Sequence, residues 1–231
     1  MRCIIRVVIG VVLTVAVTST ANAAILSAVK LGGTTNVFTK LFPTPLGNPY
    51  GPPDTLEKDT FQLNELFAFD EREKIVLAAP LAVDRISDGM GGQQPGPGVL
   101  AAGTRVTSHY IFFDPKEWER ALYEITFDSE VVGIATSTDN LRNSDFLGLP
   151  GLTYNTSPGN GNFFVITGLT GSDRADITGT YTVTVDLTRW SGNFLRVLTA
   201  VPEPTTFVIW SLLGLIGLGL GARRRRPRAA S

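Results

Sequence analysis

Apolar positions along this chain come in short bursts separated by turn residues, and most bursts repeat every second residue rather than every third or fourth. Residues 60–70 are apolar at the odd positions from Phe61 to Phe69 apart from Glu65, which predicts a half-buried strand. Residues 74–83 form an apolar run broken by Pro80, a buried or edge strand. Residues 99–113 contain a strongly strand-like stretch from Thr104 to Phe113, which Asp114-Pro115 stops. Residues 117–123 predict one or two helical turns. Residues 122–135 then read as strand, with Ile125 and Phe127 on one face and a bend near Gly133. Residues 138–142 carry turn chemistry that opens a short helix around 143–147. Residues 163–169 predict a short strand. Residues 177–187 alternate threonines at 178, 180, 182 and 184 with Ile177, Tyr181, Val183, Val185 and Leu187, and residues 194–201 make the last strand.

The segments between are loops by composition. Residues 42–53 hold five prolines and residues 87–98 five glycines and two prolines. Seven or eight short strands spaced this way predict an all-β fold, one β-sandwich of jelly-roll or immunoglobulin-like type over residues 24–200. The 24 glycines and 14 prolines agree with turns over long helices.

Charge is partitioned. Of 20 basic residues, two precede Ala24 and five follow Ala200, whereas 20 of the 21 acids lie between. The body therefore carries −7, which repels phosphates and argues against nucleic acid as a partner. One cysteine and one histidine exclude an internal disulfide framework, a zinc finger and a multi-histidine metal centre.

Both ends carry basic charge beside apolar runs. Arg2 and Arg6 precede an apolar stretch over residues 7–17 that is too short to span a bilayer. Small residues follow, with Ala21 and Ala23 where signal peptidase needs them. Residues 1–23 are expected to be a signal peptide cut after Ala23, and Cys3 leaves with it. At the other end Val201, Pro202, Glu203 and Pro204 lead into sixteen uncharged residues, 207–222, closed by Arg223, Arg224, Arg225 and Arg226. Sixteen helical residues rise about 24 Å, and the arginines snorkel at the far end. Four arginines resist translocation, so the tail stays inside and the body outside.

This ordered triplet of Pro-Glu-Pro, short apolar span and arginine cluster resembles the PEP-CTERM sorting domain, over residues 201–228. The resemblance implies recognition by an exosortase, a multi-spanning transpeptidase-like membrane enzyme of Gram-negative-type bacteria that make exopolysaccharide. It assigns recognition to Pro202, Glu203 and Pro204 and makes 207–222 the transmembrane helix presented with them. The two prolines keep the tripeptide extended, as a cleft at the membrane face requires. The block 103–200 is similar, more loosely, to ectodomains of such proteins, which bring no assigned activity. The partners implied are signal peptidase, exosortase, the lipid bilayer and extracellular polysaccharide. The implied route is export, a single-pass membrane intermediate with the body outside, then the cell surface or extracellular matrix.

Catalytic signatures are sparse. His109 is the sole imidazole and sits mid-strand among Tyr110, Ile111 and Phe112, where a structural role is expected. No G-x-S-x-G, H-E-x-x-H or P-loop pattern occurs. A carboxylate pair hydrolyses glycosides without His or Cys, with Glu117, Glu119, Glu124 and Asp128 as candidates. Asp139, Asp145, Asp173 and Asp176 fall in loops and are candidates for calcium, although no D-x-D-x-D-G loop exists. Trp118, Trp190, Tyr50 and Tyr154 are candidates for stacking on sugars, with core packing as the ordinary use of each. The reading is an exported, non-enzymatic surface or matrix protein without a cofactor. Its rivals are a secreted carboxylate-dependent polysaccharide hydrolase and a binding domain anchored permanently in the membrane.

Overall fold

The computed structural model describes residues 24–35, 37–41, 55–56, 63–154, 168–169, 171–189 and 192–201. The expected signal peptide, the proline-rich loop, most of the 163–169 strand and the 207–222 span lie outside the described residues. Among the described residues no helix is long and apolar enough to cross a membrane.

The chain is all-β. The strands are β1 (Ile25–Gly33), β2 (Val37–Lys40), β3 (Thr55–Leu56), β4 (Glu65–Asp70), β5 (Ile75–Val76), β6 (Leu81–Val83), β7 (Arg85–Ile86) and β8 (Gly98–Leu100). There follow β9 (Arg105–Phe113), β10 (Glu119–Phe127), β11 (Val131–Ala135), β12 (Thr153–Tyr154), β13 (Arg174–Gly179), β14 (Thr182–Arg189) and β15 (Asn193–Ala200). One short helix, α1 (Thr138–Asn143), and a 3-10 turn at Asp145–Leu147 separate β11 from β12. An antiparallel four-stranded sheet runs β1-β10-β14-β13. A seven-stranded sheet runs β2-β4-β9-β15-β11-β7, with β5 also pairing on β9. The β2–β4 pair is parallel.

The two sheets pack face to face. Tyr123, Ile125 and Phe127 of β10 and Val183, Val185 and Leu187 of β14 meet Leu66 and Ala68 of β4, Ile111 and Phe113 of β9, and Leu195 and Val197 of β15. The four-stranded sheet buries that one face, so β10 alternates buried with half-exposed residues. The larger sheet is covered on both faces. Its second face carries Phe67, Phe69, Tyr110, Phe112 and Phe194 under Leu141 of α1, with Leu56 and Tyr154. A third cluster joins Val106 and Leu198 to Leu81, Val83 and Leu147. Burial from Val106 to Phe113 is consequently unbroken.

Several expectations need correction. Residues 61–69 were expected to be half-buried, but β4 begins at Glu65 and buries Leu66, Phe67, Ala68 and Phe69 alike. Of the residues 117–123 expected as helical turns, those from Glu119 onward are strand. Ala121 and Tyr123 continue the two-residue period of Ile125 and Phe127, and β10 pairs with β14 from Glu119 onward. Pro80 divides 74–83 into β5 and β6. The 177–187 alternation is a hairpin, with Thr180-Tyr181 as its turn. Tyr181 is half-exposed there, and its carbonyl accepts from Phe127 N–H (2.8 Å). The bend near Gly133 is a register shift between Val131 and Gly133, which lets Val131 and Ile134 face the same core. β1 and β2 were not expected. β1 is an edge strand with Leu26, Val29 and Leu31 exposed, so it carries no alternation to read.

Candidate functional site

Two polar networks lie inside the body, both built on the β4–β9–β15 centre of the larger sheet. The register sets Asp70 opposite His109 and Arg196 opposite Tyr110. Neighbouring residues of a strand point to opposite faces, so Asp70 and His109 turn toward the inter-sheet core and Glu71 and Arg196 toward the second face.

In the first network the His109 Nδ1–H donates to Asp70 Oδ1 (2.7 Å), because a carboxylate only accepts. Nε2 of His109 lies 3.0 Å from Thr199 Oγ1. Lys40 Nζ pairs with Asp70 Oδ2 (2.7 Å). Burial alone would raise the Asp70 carboxyl. The hydrogen bond and charge of His109, with Lys40 and the Ile25 N–H, outweigh it and hold Asp70 below its ordinary value of 3.8. A carboxylate, an imidazole and a hydroxyl in line have the order of a nucleophilic triad. His109 and Thr199 are wholly buried, and His109 packs on the Phe127 ring (4.9 Å), so this hydroxyl meets no substrate.

In the second network the Arg196 guanidinium grips Glu71 with both edges of its fork, Nε to Oε2 at 2.7 Å and Nη2 to Oε1 at 3.0 Å. Nη1 donates to Ser144 Oγ (2.6 Å) and the Leu141 carbonyl (3.1 Å), which ties the end of α1 to β15. Ser108 and Tyr154 hydroxyls donate to the two Glu71 oxygens. Arg196 lies 5.1 Å from the ring centres of both Tyr110 and Tyr154. Burial works against the Arg196 charge, and Glu71 more than restores it, so the guanidinium stays protonated. Burial, reinforced by the Glu71 charge, pushes the Tyr154 phenol far up, so Tyr154 remains a neutral donor. Both side chains of the central ion pair are fully buried. The arrangement fastens elements together and offers no open electrophile or nucleophile.

The carboxylates proposed for glycoside hydrolysis are spread along β10. Glu117 and Glu119 stand at one end of β10 and Asp128 just past the other, about 30 Å apart at strand rise. Hydrolase pairs lie about 5–9.5 Å apart. Glu124 points to the opposite face of the sheet from Glu119, whose Oε1 accepts from Asn64 (3.1 Å). The calcium candidates were expected in loops, but Asp139 lies in α1, Asp145 in the 3-10 turn and Asp176 in β13, because each segment continues a hydrogen-bonded element; Asp173 alone of the four precedes a strand. Asp139 is exposed beside Arg142 (3.3 Å) and Asp145 faces Arg196 (3.4 Å). Asp173 accepts the Thr188 N–H (2.7 Å), and Asp176 accepts from Arg85 (3.4 Å) and Gln93 (3.1 Å). Among the described residues no three His, Cys, Asp or Glu side chains group around a metal position. Of the aromatic candidates, Trp118 is exposed and Tyr154 serves the Glu71 network, while Tyr50 and Trp190 lie outside the described residues.

Sequence reasoning passed over Asp70, Glu71, Arg196 and Thr199. A signal existed: Arg196 is a lone charge between Leu195 and Val197 in an apolar strand, and such a charge needs a buried partner.

The body leads directly into the tail. Ala200 N–H donates to the Glu130 carbonyl (2.7 Å), and Val201 N–H lies 3.4 Å from the Arg105 carbonyl. The expected recognition residues Pro202, Glu203 and Pro204, and the arginines 223–226, follow outside the described residues. No curated protein and no solved structure matches the chain. Residues 200–226 match the PEP-CTERM protein-sorting motif, so the chain carries that motif directly after β15.

Proposed function

We propose that this is a structural or binding protein of the cell surface or extracellular matrix, built as a non-enzymatic sandwich and delivered by its tail. The sorting motif at residues 200–226 supports export, handling by an exosortase and a membrane-associated intermediate, and it is the observation that carries the reading. The proposal beyond it has four parts. Signal peptidase removes residues 1–23. The 207–222 span holds the chain in the bilayer with Arg223, Arg224, Arg225 and Arg226 inside. Exosortase reads Pro202, Glu203 and Pro204. The released body then takes its place among extracellular polysaccharide. The buried, mutually satisfied ion pairs support a body selected for form rather than turnover.

The test is fractionation of cells that contain an exosortase and express the full chain or its Glu203→Ala variant. The wild-type body is expected in the surface or extracellular fraction, and the variant is expected to accumulate in the membrane. Equal release of both would refute recognition through Glu203. Glycan turnover by the wild-type body, lost on changing one carboxylate, would refute the non-enzymatic reading.

A further inference from the structure

Every backbone polar group of the first two described residues is hydrogen-bonded, three of the four to charged side chains. Ala24 N–H donates to Asp128 Oδ1 (2.8 Å), and Asp128 N–H returns a bond to the Ala24 carbonyl (3.1 Å). Ile25 N–H donates to Asp70 Oδ1 (3.1 Å), and the Ile25 carbonyl accepts from Lys40 Nζ (2.7 Å). The Ile25 side chain is buried in the inter-sheet core. Asp128 sits in the turn between β10 and β11 and also accepts from Ser129 Oγ (2.9 Å). Among the described residues no lysine or arginine pairs with it. Asp128 is exposed, and its carboxylate meets the Ala24 nitrogen at 2.8 Å with no described basic side chain beside it.

We propose that Asp128 is the binding site for a new α-ammonium, made when the Ala23–Ala24 bond is hydrolysed. The inference rests on the signal-peptide reading given above. In that step water adds its oxygen to the Ala23 carbonyl carbon and leaves a carboxylate there. The C–N bond breaks, the Ala24 nitrogen keeps the electron pair, and protonation makes it an ammonium. An amide donor to Asp128 thereby becomes a charge-assisted one. Lys40 is the like charge nearby, and it is engaged by Asp70, which also faces His109. Asp128 is therefore the carboxylate left for the amine. The same turn holds the other end of the body, since the Glu130 carbonyl accepts from Ala200 N–H.

The test uses the exported form of the full chain and its Asp128→Asn variant, each purified from a secreting bacterium. Terminal sequencing fixes the first residue, and the pH dependence of reductive dimethylation reads the α-amine titration. Ala24 is expected first, with the wild-type amine titrating about half a unit above that of the variant. Ala24 first with equal titration would overturn the proposal while sparing the signal peptide. A different first residue would overturn both. A readout on the wild type alone guards against a variant that fails to fold. Binding raises the folded amine's pKa, so the stability it adds is full below about 7.7–8.0 and fades as pH rises through the folded value. Acetylating that amine is expected to lower the unfolding midpoint at pH 7 and flatten its fall toward pH 9. An unchanged midpoint would contradict the site.

Discussion

The two sheets of the body spend the same chemistry differently. Arg120 of β10 meets Asp186 of β14 with two 2.7 Å bonds on the open face of the four-stranded sheet. Arg196 of β15 meets Glu71 with bonds of 2.7 and 3.0 Å beneath the second face of the larger sheet. Both are forked arginine–carboxylate pairs, but water competes for the first and is excluded from the second. An exposed pair contributes little because solvent screens it. A buried pair cannot lose one partner without stranding a charge. Geometry alone therefore does not rank these contacts; burial does.

The hardest blow to that contrast is Arg196→Met. It strands Glu71 and frees Leu141 and Ser144, and urea unfolding should show a loss of about 3–5 kcal/mol. Phe112→Ala comes next. Phe112 stacks between Phe67 (5.1 Å) and Phe194 (5.9 Å), and the cavity should cost about 3–4 kcal/mol by the same measurement. Acid sharpens the comparison further. Asp70 titrates below 3.8 in the folded protein, so its stabilisation is complete above that value and drains away as pH falls through the folded pKa. Wild type should lose unfolding free energy below pH 4 more steeply than Asp70→Asn. Parallel curves would show that the His109 and Lys40 contacts do not hold the carboxylate charged. The smallest effect belongs to Arg120→Met, which should leave the urea midpoint unchanged within error. A shift matching that of Arg196→Met would erase the distinction between the sheets.

The same difference explains what could be read in advance. Burying one face writes an alternating pattern, and the run from Tyr123 to Phe127 was legible as strand for that reason. Burying both faces removes the alternation, so the extent of β4 and its double burial were not. Edge position hides a strand as well, since the contacts of β1 are mostly backbone bonds to β10 and leave Val29 and Leu31 outside. Glu117 and Glu119 misled toward helix because local propensity is weak against the pairing that β14 supplies. The paired charges were illegible for another reason. Glu71 and Arg196 are 125 residues apart, and only the β4–β9–β15 order brings them together. The sorting motif was the most legible part, because its residues are contiguous in the chain.

That tail carries the central claim, and the intact mass of the native extracellular product tests it most directly. The account predicts a chain that begins at Ala24 and has lost residues 207–222. A product that keeps 207–222 through Arg226 would contradict it.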